Sequence, residues 1–199
     1  MTTTRCVVQM HGEPGAGKST LARELGSRLG AVVLDKDVIS TALLKAGLPR
    51  GIVGPPAYET IWDIGASLLE QGHSIIVDSP AFWPVIEERG RGLARRFGAR
   101  YHMIEVRVAD AAVIEQRLSA RDPIESNPTT RQALPPGARE PGCDRLVVDG
   151  TQPVDALARV ALAYVQGKHA APPSLSRGVD WGGPGRTAHA NRGIWRHAP

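Results

Sequence analysis

The sequence lacks the features that mark several large classes of protein. Its two cysteines, Cys6 and Cys143, show no Cys/His spacing typical of a metal site, so we expect reduced thiols rather than a disulfide framework or a zinc site. No apolar run of about 18 residues occurs, and no basic segment precedes an apolar one at the N-terminus. These absences predict a soluble, cytoplasmic protein with no membrane partner, and we expect a monomer or a homodimer.

The excess of positive charge is confined to one end of the chain. The formal charge is +4, and residues 167–199 contain five Lys/Arg and one Asp, which leaves 19 Lys/Arg and 19 Asp/Glu in residues 1–166. Polynucleotide binders usually carry a basic face on the folded domain, so this balance disfavours nucleic acid as a partner. The composition predicts one domain over 1–166, followed by a Gly/Pro/Arg-rich tail over 167–199 with no periodic pattern.

Lysine is scarce, with four lysines against twenty arginines, and one of the four lies in a segment that matches G-x-x-x-x-G-K-[ST]. An apolar run precedes this segment and an amphipathic pattern follows it, so the order is strand, loop and helix. Backbone N–H groups of such a loop wrap a phosphate, Lys18 reaches the β- and γ-phosphates, and Ser19 holds Mg²⁺ through its hydroxyl. The expected nucleotide-binding residues are Gly12, Glu13, Pro14, Gly15, Ala16, Gly17, Lys18, Ser19 and Thr20.

Short apolar runs alternate with helical patterns along residues 5–166, which is typical of a parallel sheet with helices on both faces. Residues 47–56, rich in Gly and Pro, predict a loop, and the five prolines within residues 121–143 predict a lid. We therefore expect an α/β fold with five parallel strands at 5–11, 31–34, 74–79, 101–108 and 145–149, and helices at about 18–29, 38–44, 58–69, 84–97, 111–120 and 154–166. In the last helix, the residues expected to face the core are Val154, Leu157, Val160, Ala161 and Tyr164.

Three carboxylates follow predicted strands and are expected to meet at one edge of the sheet. Asp35 and Asp37 end the second strand, and Asp78 ends the third. Ligands of parallel sheets bind beyond the carboxyl ends of the strands, where the glycine-rich loop also lies. Residues two apart at a strand end point the same way, so we expect Asp35 and Asp37 to act as a pair on metal-bound water and substrate. The structural alternative is that Asp37 is the N-cap of the following helix. Asp78 is predicted to contact a Mg²⁺-bound water or the substrate.

Motifs that are missing around this edge favour phosphoryl transfer over hydrolysis. Neither of the two asparagines is followed by lysine, so the guanine-specific motif Asn-Lys-x-Asp is absent. ATP-driven motors usually carry Glu after the strand-end Asp, whereas Ser79 follows Asp78. A phosphotransferase needs a carboxylate beside the acceptor hydroxyl and cations over the phosphoryl group. Arg117 and Arg121, four residues apart on the helix that enters the lid, are the candidates for those cations.

Together, these motifs resemble those of the small P-loop kinases. That group includes shikimate, gluconate and adenylylsulfate kinases, the kinase domain of polynucleotide kinase, zeta toxins and chloramphenicol phosphotransferase. The resemblance covers about residues 5–166 and is carried by the glycine-rich loop, the Asp-x-Asp at Asp35, the Ile-Ile-Val-Asp strand ending at Asp78 and the segment 117–121. It implies a P-loop NTPase fold similar to that of the nucleoside monophosphate kinases.

The same resemblance implies roles for individual residues. Asp37 would be the general base, Asp35 would hold metal-bound water or substrate, and Arg117 and Arg121 would be the lid cations. Ser19 and Asp35 would lie around Mg²⁺, where the strand-end position of Asp78 places that residue as well. Gly150 and Thr151 follow a final strand similar to the one that lies beside the adenine in these kinases.

The substrate is less clearly indicated. Polynucleotide kinases usually carry Arg three residues after the general base, and Ser40 stands at that position here. Arg50, beside Gly51, is a candidate for binding an anionic group of the substrate. The sequence thus predicts an ATP- and Mg²⁺-dependent kinase that phosphorylates a hydroxyl of a small metabolite or natural product. A polynucleotide 5′-hydroxyl kinase and an ATP-binding regulatory protein remain the alternatives.

Overall fold

The computed structural model describes residues 5–120 and 138–168. Most of the predicted lid, including Arg121, and the predicted tail beyond residue 168 lie outside the described residues. Within them, the strands are β1 (Cys6–His11), β2 (Val32–Asp35), β3 (Ile75–Asp78), β4 (Arg100–Arg107) and β5 (Leu146–Asp149), and the helices are α1 (Lys18–Leu29), α2 (Lys36–Lys45), α3 (Gly54–Glu70), α4 (Pro84–Arg96), α5 (Ala111–Ser119) and α6 (Val154–Val165).

The five strands form one parallel sheet in the order β2-β3-β1-β4-β5. β1 lies at the centre and is paired with β3 on one side and β4 on the other. The predicted α/β class, the five strands and the parallel pairing are therefore confirmed. Because all strands run the same way, the segments that follow β1, β2 and β3 leave the sheet at the same edge.

Helices cover both faces of the sheet, and alternate residues of each strand pack against opposite layers. Val7 packs with α3 and α4, and its neighbour Val8 packs with α1, α5 and α6. Ile75 and Ile76 divide in the same way. Strands buried on both faces explain why the sequence shows near-continuous apolar runs there instead of an apolar–polar alternation.

The segment 47–56 is more regular than the predicted loop. A 3-10 turn occupies Arg50–Ile52, and α3 already begins at Gly54, with Pro55 and Pro56 in its first turn. The N–H groups of a first turn have no partner within the helix, so proline is tolerated there, and its fixed φ suits the helix. Pro55 and Pro56, which predicted a loop, therefore mark the start of α3.

The inward face of α6 differs from the expected one at one position. Leu157, Ala158, Ala161 and Val165 are the buried residues of α6, whereas Val160 is 37 % exposed. The buried face of α6 follows a spacing of four residues, at Leu157, Ala161 and Val165. Val160 lies at the edge of this face. The prediction for Val160 was wrong.

Both cysteines lie within the described residues and are unpaired, as expected. Cys6 is buried in β1, and the Cys143 thiol lies 3.9 Å from the Met103 sulfur. Burial raises the pKa of the Cys143 thiol to about 11, so it is a protonated thiol at neutral pH. Among the described residues, no helix has both the length and the apolar composition needed to span a membrane.

Candidate active site

The glycine-rich loop that follows β1, residues 12–20, is called the phosphate loop below. Gly12 and Gly17 have φ angles of 129° and 106°, which are accessible to glycine and rare for other residues. A Cβ on Gly12 would lie 2.3 Å from the Val106 carbonyl oxygen, so glycine lets the loop rest directly on β4. Gly17 then caps α1, and the N-terminal end of that helix faces the site.

Lys18 opens α1 and is almost buried, with 8 % of its surface exposed. Its ammonium donates a hydrogen bond of 2.8 Å to the Glu13 carbonyl oxygen, across the phosphate loop. A buried ammonium needs polar partners because it loses its hydration. The hydrogen bond therefore keeps the ammonium of Lys18 beside the backbone of the phosphate loop.

Ser19 and Asp78 come together from two elements that are far apart in sequence. Asp78 ends β3 and is 5 % exposed, and the Ser19 hydroxyl lies close enough to its carboxylate to act on its pKa. Burial raises the pKa of Asp78, and the contact with Ser19 works against that rise. A buried carboxylate beside the phosphate loop is the arrangement that the sequence predicted for these two residues.

The structure places Asp35 next to Asp78 but changes its local role. The two residues are partners in the β2–β3 register. α2 begins at Lys36, and the Asp35 carboxylate is its N-cap, because it accepts hydrogen bonds from the backbone N–H groups of Asp37 at 2.9 Å and Val38 at 3.3 Å. The expected alternative, Asp37 as the N-cap, is therefore wrong.

Asp37 lies in the first turn of α2 and not at a strand end, so the strand argument for its pairing with Asp35 does not apply. Its carboxylate is 35 % exposed and accepts a hydrogen bond of 3.4 Å from Lys36. Burial raises the pKa of Asp37, the charge of Asp35 adds to that rise, and Lys36 and Lys18 oppose it. The Asp37 carboxylate is therefore more exposed than those of Asp35 and Asp78. A general base must be exposed in this way, because the acceptor hydroxyl has to reach it.

The oxygen atoms at this edge suit magnesium. Among residues 5–120 and 138–168, no group of three or more His, Cys, Asp or Glu side chains is arranged as a metal cage. Mg²⁺ is usually held by one or two protein oxygens together with water and substrate phosphates, so such a cage is not required. Ser19 and Asp78 fit that donor set. Asp35 fits it less well, since one of its oxygens already caps α2.

Arg117 occupies a position that differs from the expected one. Its guanidinium donates hydrogen bonds to the carbonyl oxygens of Gly15 (3.4 Å) and Ala16 (3.3 Å) in the phosphate loop, and of Gly150 (2.9 Å) after β5. Arg117 therefore joins the phosphate loop to the β5–α6 connection. A lid cation over the phosphates would have to leave these carbonyl groups. Arg121 lies outside the described residues, and its role stays a prediction.

A cavity of about 400 Å³, called the rear cavity below, lies between the phosphate loop and the β5–α6 connection. Gly15–Gly17, Arg117 and Gly150 line it, together with apolar residues of α1 and α6. A Cβ on Gly150 would lie 2.2 Å from the Ala16 carbonyl oxygen, so this glycine allows the two loops to touch. Thr151 donates two hydrogen bonds to Asp149 and shapes the turn. A pocket therefore lies where the resemblance places the adenine, and the binding of adenine there stays a prediction.

The remaining predicted residue, Arg50, is exposed in the 3-10 turn between α2 and α3. Its proposed contact with an anionic substrate group stays a prediction. Thr20 is exposed in the first turn of α1, and Pro14 is half-buried in the loop.

Sequence reasoning missed a charged network at the carboxyl end of β4. Glu105 is 3 % exposed and is paired with Arg107 and Arg145, and Glu140 is paired with the same two arginines. The arginines hold the pKa of Glu105 below its usual range, although burial acts in the opposite direction. The alternation Glu105-x-Arg107 in a strand was the available signal, because it puts both side chains on one face.

The fold and the phosphate loop together define a nucleotide-binding protein of the P-loop class. Residues 7–134 match the family AAA_33, an AAA domain, and the chain belongs to that family. An uncharacterised protein of Mycobacterium tuberculosis is 31 % identical in an alignment 148 residues long, which covers 67 % of this chain and 29 % of that protein. The chain therefore spans less than a third of the length of the curated relatives it matches.

Solved kinase structures share the fold. A proposed kinase of Chloroflexus aurantiacus aligns over 84 % of this chain and 99 % of its own, with 22 % identity and a TM-score of 0.62. An APS kinase of Mycobacterium tuberculosis, solved with AMPPNP and APS, aligns over 82 % and 98 % with 16 % identity and a TM-score of 0.58. A gluconokinase of Sinorhizobium meliloti aligns over 84 % and 93 % with 18 % identity and a TM-score of 0.53. The predicted resemblance to small P-loop kinases is confirmed at the level of the fold.

Proposed function

We propose that the protein is an ATP- and Mg²⁺-dependent kinase that transfers the γ-phosphoryl group to a hydroxyl of a small molecule. The observation that carries this proposal is that Lys18, Ser19 and Asp78 lie together at one edge of the sheet. Asp37 is close enough to Lys18 for the charge of the ammonium to lower the pKa of its carboxyl group. A phosphate loop and a nearby accessible carboxylate are the two parts that phosphoryl transfer to an alcohol needs.

Each residue has a defined task in the reaction. The backbone N–H groups of the phosphate loop and the ammonium of Lys18 bind the β- and γ-phosphates. Asp37 accepts the proton of the acceptor hydroxyl as its oxygen forms a bond to the γ-phosphorus and the bond from that phosphorus to the bridging oxygen of ADP breaks. The products are the phosphorylated alcohol and ADP.

Two further groups complete the site. Mg²⁺, held by Ser19 and Asp78, would neutralise the charge of the phosphate oxygens. Arg117 positions the phosphate loop against Gly150, next to the rear cavity that would take the adenosine. The kinases with this fold act on different small molecules, as the APS kinase and the gluconokinase show, so their fold supports the reaction and leaves the acceptor open.

The direct test is label transfer from γ-labelled ATP with Mg²⁺ to a panel of hydroxylated metabolites, antibiotics, nucleosides and 5′-hydroxyl oligonucleotides. We expect one small-molecule class to be labelled. Lys18→Ala should abolish transfer because the charge over the phosphates is lost, and Lys45→Ala, on the exposed end of α2, is the matched control that keeps it.

The outcomes separate the candidate functions. Undiminished transfer by Lys18→Ala would refute the assignment of the phosphate loop. Label on the oligonucleotide alone would favour the polynucleotide kinase. Tight ATP binding without transfer to any compound would favour a regulatory protein.

A further inference from the structure

A second cavity lies on the other side of the phosphate loop from the rear cavity. It has a volume of about 400 Å³ and is bordered by Gly12, Glu13, Phe82 and residues of β4 and α5; we call it the front cavity. Ala16 and Val106 line both cavities, so only the loop separates them. A pocket of this size holds a small organic ligand.

The front cavity borders the phosphate loop at Glu13, the residue whose backbone contacts Lys18. Glu13 is part of its wall, and the Glu13 carbonyl oxygen accepts the hydrogen bond from Lys18. Lys18 in turn lies close enough to Asp37 to lower the pKa of that carboxyl. A ligand in the front cavity therefore lies against Glu13, whose carbonyl oxygen accepts the hydrogen bond from Lys18, whereas the rear cavity is beside Arg117 and Gly150.

Most of the wall is apolar or aromatic. Val106, Val108 and Ile114 line it from β4 and α5, and Phe82 closes it from the β3–α4 connection. The Phe82 ring meets the His11 ring edge-on, with 5.6 Å between the ring centroids. Five charged residues among those described also line the cavity, and three of them, Glu105, Arg107 and Glu140, are already engaged in ion pairs. The wall therefore favours an apolar ring over a polyol, whose hydroxyl groups need more polar partners than it offers.

Most of the charged groups in and beside the cavity wall are paired with one another. Glu105 and Glu140 are paired with Arg107 and Arg145, as described above. Burial lowers the pKa of His11, which is therefore neutral at pH 7. Glu13 and Arg139 contribute one further charge of each sign. Among the described residues that line the cavity there are three glutamates and two arginines, so the wall carries no excess of positive charge that would select an acidic ligand.

We propose that the front cavity binds the body of the acceptor, and that the acceptor is an uncharged hydroxyl compound with an apolar ring, as opposed to a sugar or a sugar acid. This inference rests on the proposed kinase function and specifies its substrate class. The ring packs against Phe82, and its hydroxyl points to the Lys18 end of the cavity.

The test uses a substitution that fills the front cavity and lies outside the hydrophobic core. Ala109 lines the front cavity and is itself exposed, so Ala109→Phe fills the cavity from its mouth. Ala112→Phe, on an equally exposed position three residues away that does not line the cavity, is the matched control. The probe is 4-fluorobenzyl alcohol, whose binding is followed by ¹⁹F NMR in the absence of ATP. The same three proteins are then given labelled ATP with benzyl alcohols, glucose and gluconate.

We expect the probe to bind the wild type and Ala112→Phe, and its affinity to fall at least about tenfold in Ala109→Phe, with ATP binding unchanged in all three. Ring-bearing alcohols should be labelled in preference to glucose and gluconate. Equal probe binding by Ala109→Phe, or efficient labelling of gluconate that Ala109→Phe leaves intact, would overturn the inference. Probe binding that Ala109→Phe removes, with no label on any ring-bearing alcohol, would confirm the cavity as a binding site and overturn its assignment to the acceptor, while the kinase function would still stand or fall on the wider panel described above.

Discussion

Asp37 is the single residue on which the proposed chemistry depends most. Asp37→Asn keeps the shape of the side chain and its place in the first turn of α2, but it removes the ability to accept the proton. We expect turnover to fall by about 10²-fold or more, with ATP affinity near that of the wild type, as is typical for loss of a general base. Initial rates and ATP titrations measure the two quantities.

Asp63→Asn, on the exposed face of α3, is the control for this substitution and should leave both quantities unchanged. If ATP affinity collapsed in Asp37→Asn, Asp37 would be part of the nucleotide or metal site. If turnover stayed normal, the base would have to be another group.

His102 makes the stability of the protein depend on pH. Burial, with a smaller effect from Arg100, lowers its pKa from the ordinary 6.5 to about 4, and its ring packs edge-on against Tyr164 with 5.3 Å between centroids. Between these two values the unfolded chain binds a proton that the folded chain does not, so stability falls as pH falls. These two pKa values correspond to a decrease of about 2 kcal/mol in the free energy of unfolding between pH 7 and pH 5.

His102→Phe keeps an aromatic ring beside Tyr164 and removes the titration. We expect the difference in unfolding free energy between pH 7 and pH 5 to shrink by about that amount, as measured by urea denaturation at both pH values. His73→Gln, at an exposed turn, is the control and should retain the wild-type difference. An unchanged difference in His102→Phe would show that His102 is protonated in the folded protein at pH 5.

Gly150 controls how two connecting segments of the fold meet. Its N–H donates a hydrogen bond of 2.7 Å to the Arg107 carbonyl oxygen, and its Cα faces the Ala16 carbonyl oxygen in the phosphate loop. Gly150→Ala would force these segments apart. We expect a loss of about 1–3 kcal/mol in unfolding free energy and weaker ATP binding, measured by denaturation and by titration.

Gly92→Ala is the matched glycine control. Gly92 lies within α4, and a Cβ there would meet no atom within 4 Å. Alanine should therefore stabilise the protein by about 0.5–1 kcal/mol and leave ATP binding unchanged. Wild-type ATP affinity in Gly150→Ala would contradict the view that the β5–α6 connection shapes the nucleotide site.

The whole molecule should be stabilised by its nucleotide, because the loops that would bind it come from β1, β3 and β5 and are brought together only in the folded state. At an ATP concentration about 100-fold above the dissociation constant, binding adds about 2.7 kcal/mol. For a chain of this size that corresponds to roughly 5–10 °C in Tm. Differential scanning fluorimetry measures the shift, and chelation of Mg²⁺ should reduce it. A shift that Lys18→Ala preserves would mean that the phosphate loop does not bind the nucleotide.

At every scale, local patterns were predictable from the sequence and contacts between distant segments were not. The phosphate loop, the buried strands and the position of Asp78 follow from short runs of residues. The hydrogen bonds of Arg117 to Gly15 and Ala16 join residues 102 and 101 positions apart, and no local pattern encodes them. The start of α2 was misplaced because both Asp35 and Asp37 can cap a helix, and which of them does so depends on where the backbone changes from extended to helical.

The sequence by itself determined the fold class and the phosphate loop, because apolar periodicity and glycine-dependent turns are properties of adjacent residues. It also determined that Asp35 and Asp78 lie at one edge, since parallel strands end together. Only the structure decided that Asp35 caps α2, because a cap requires an extended backbone at Asp35 and contacts of its carboxylate with the N–H groups of Asp37 and Val38. Only the tertiary structure decided that Arg117 joins two loops and that a largely apolar cavity lies beside Glu13. The last two features arise where segments distant in sequence pack against each other, and packing is set by the whole fold.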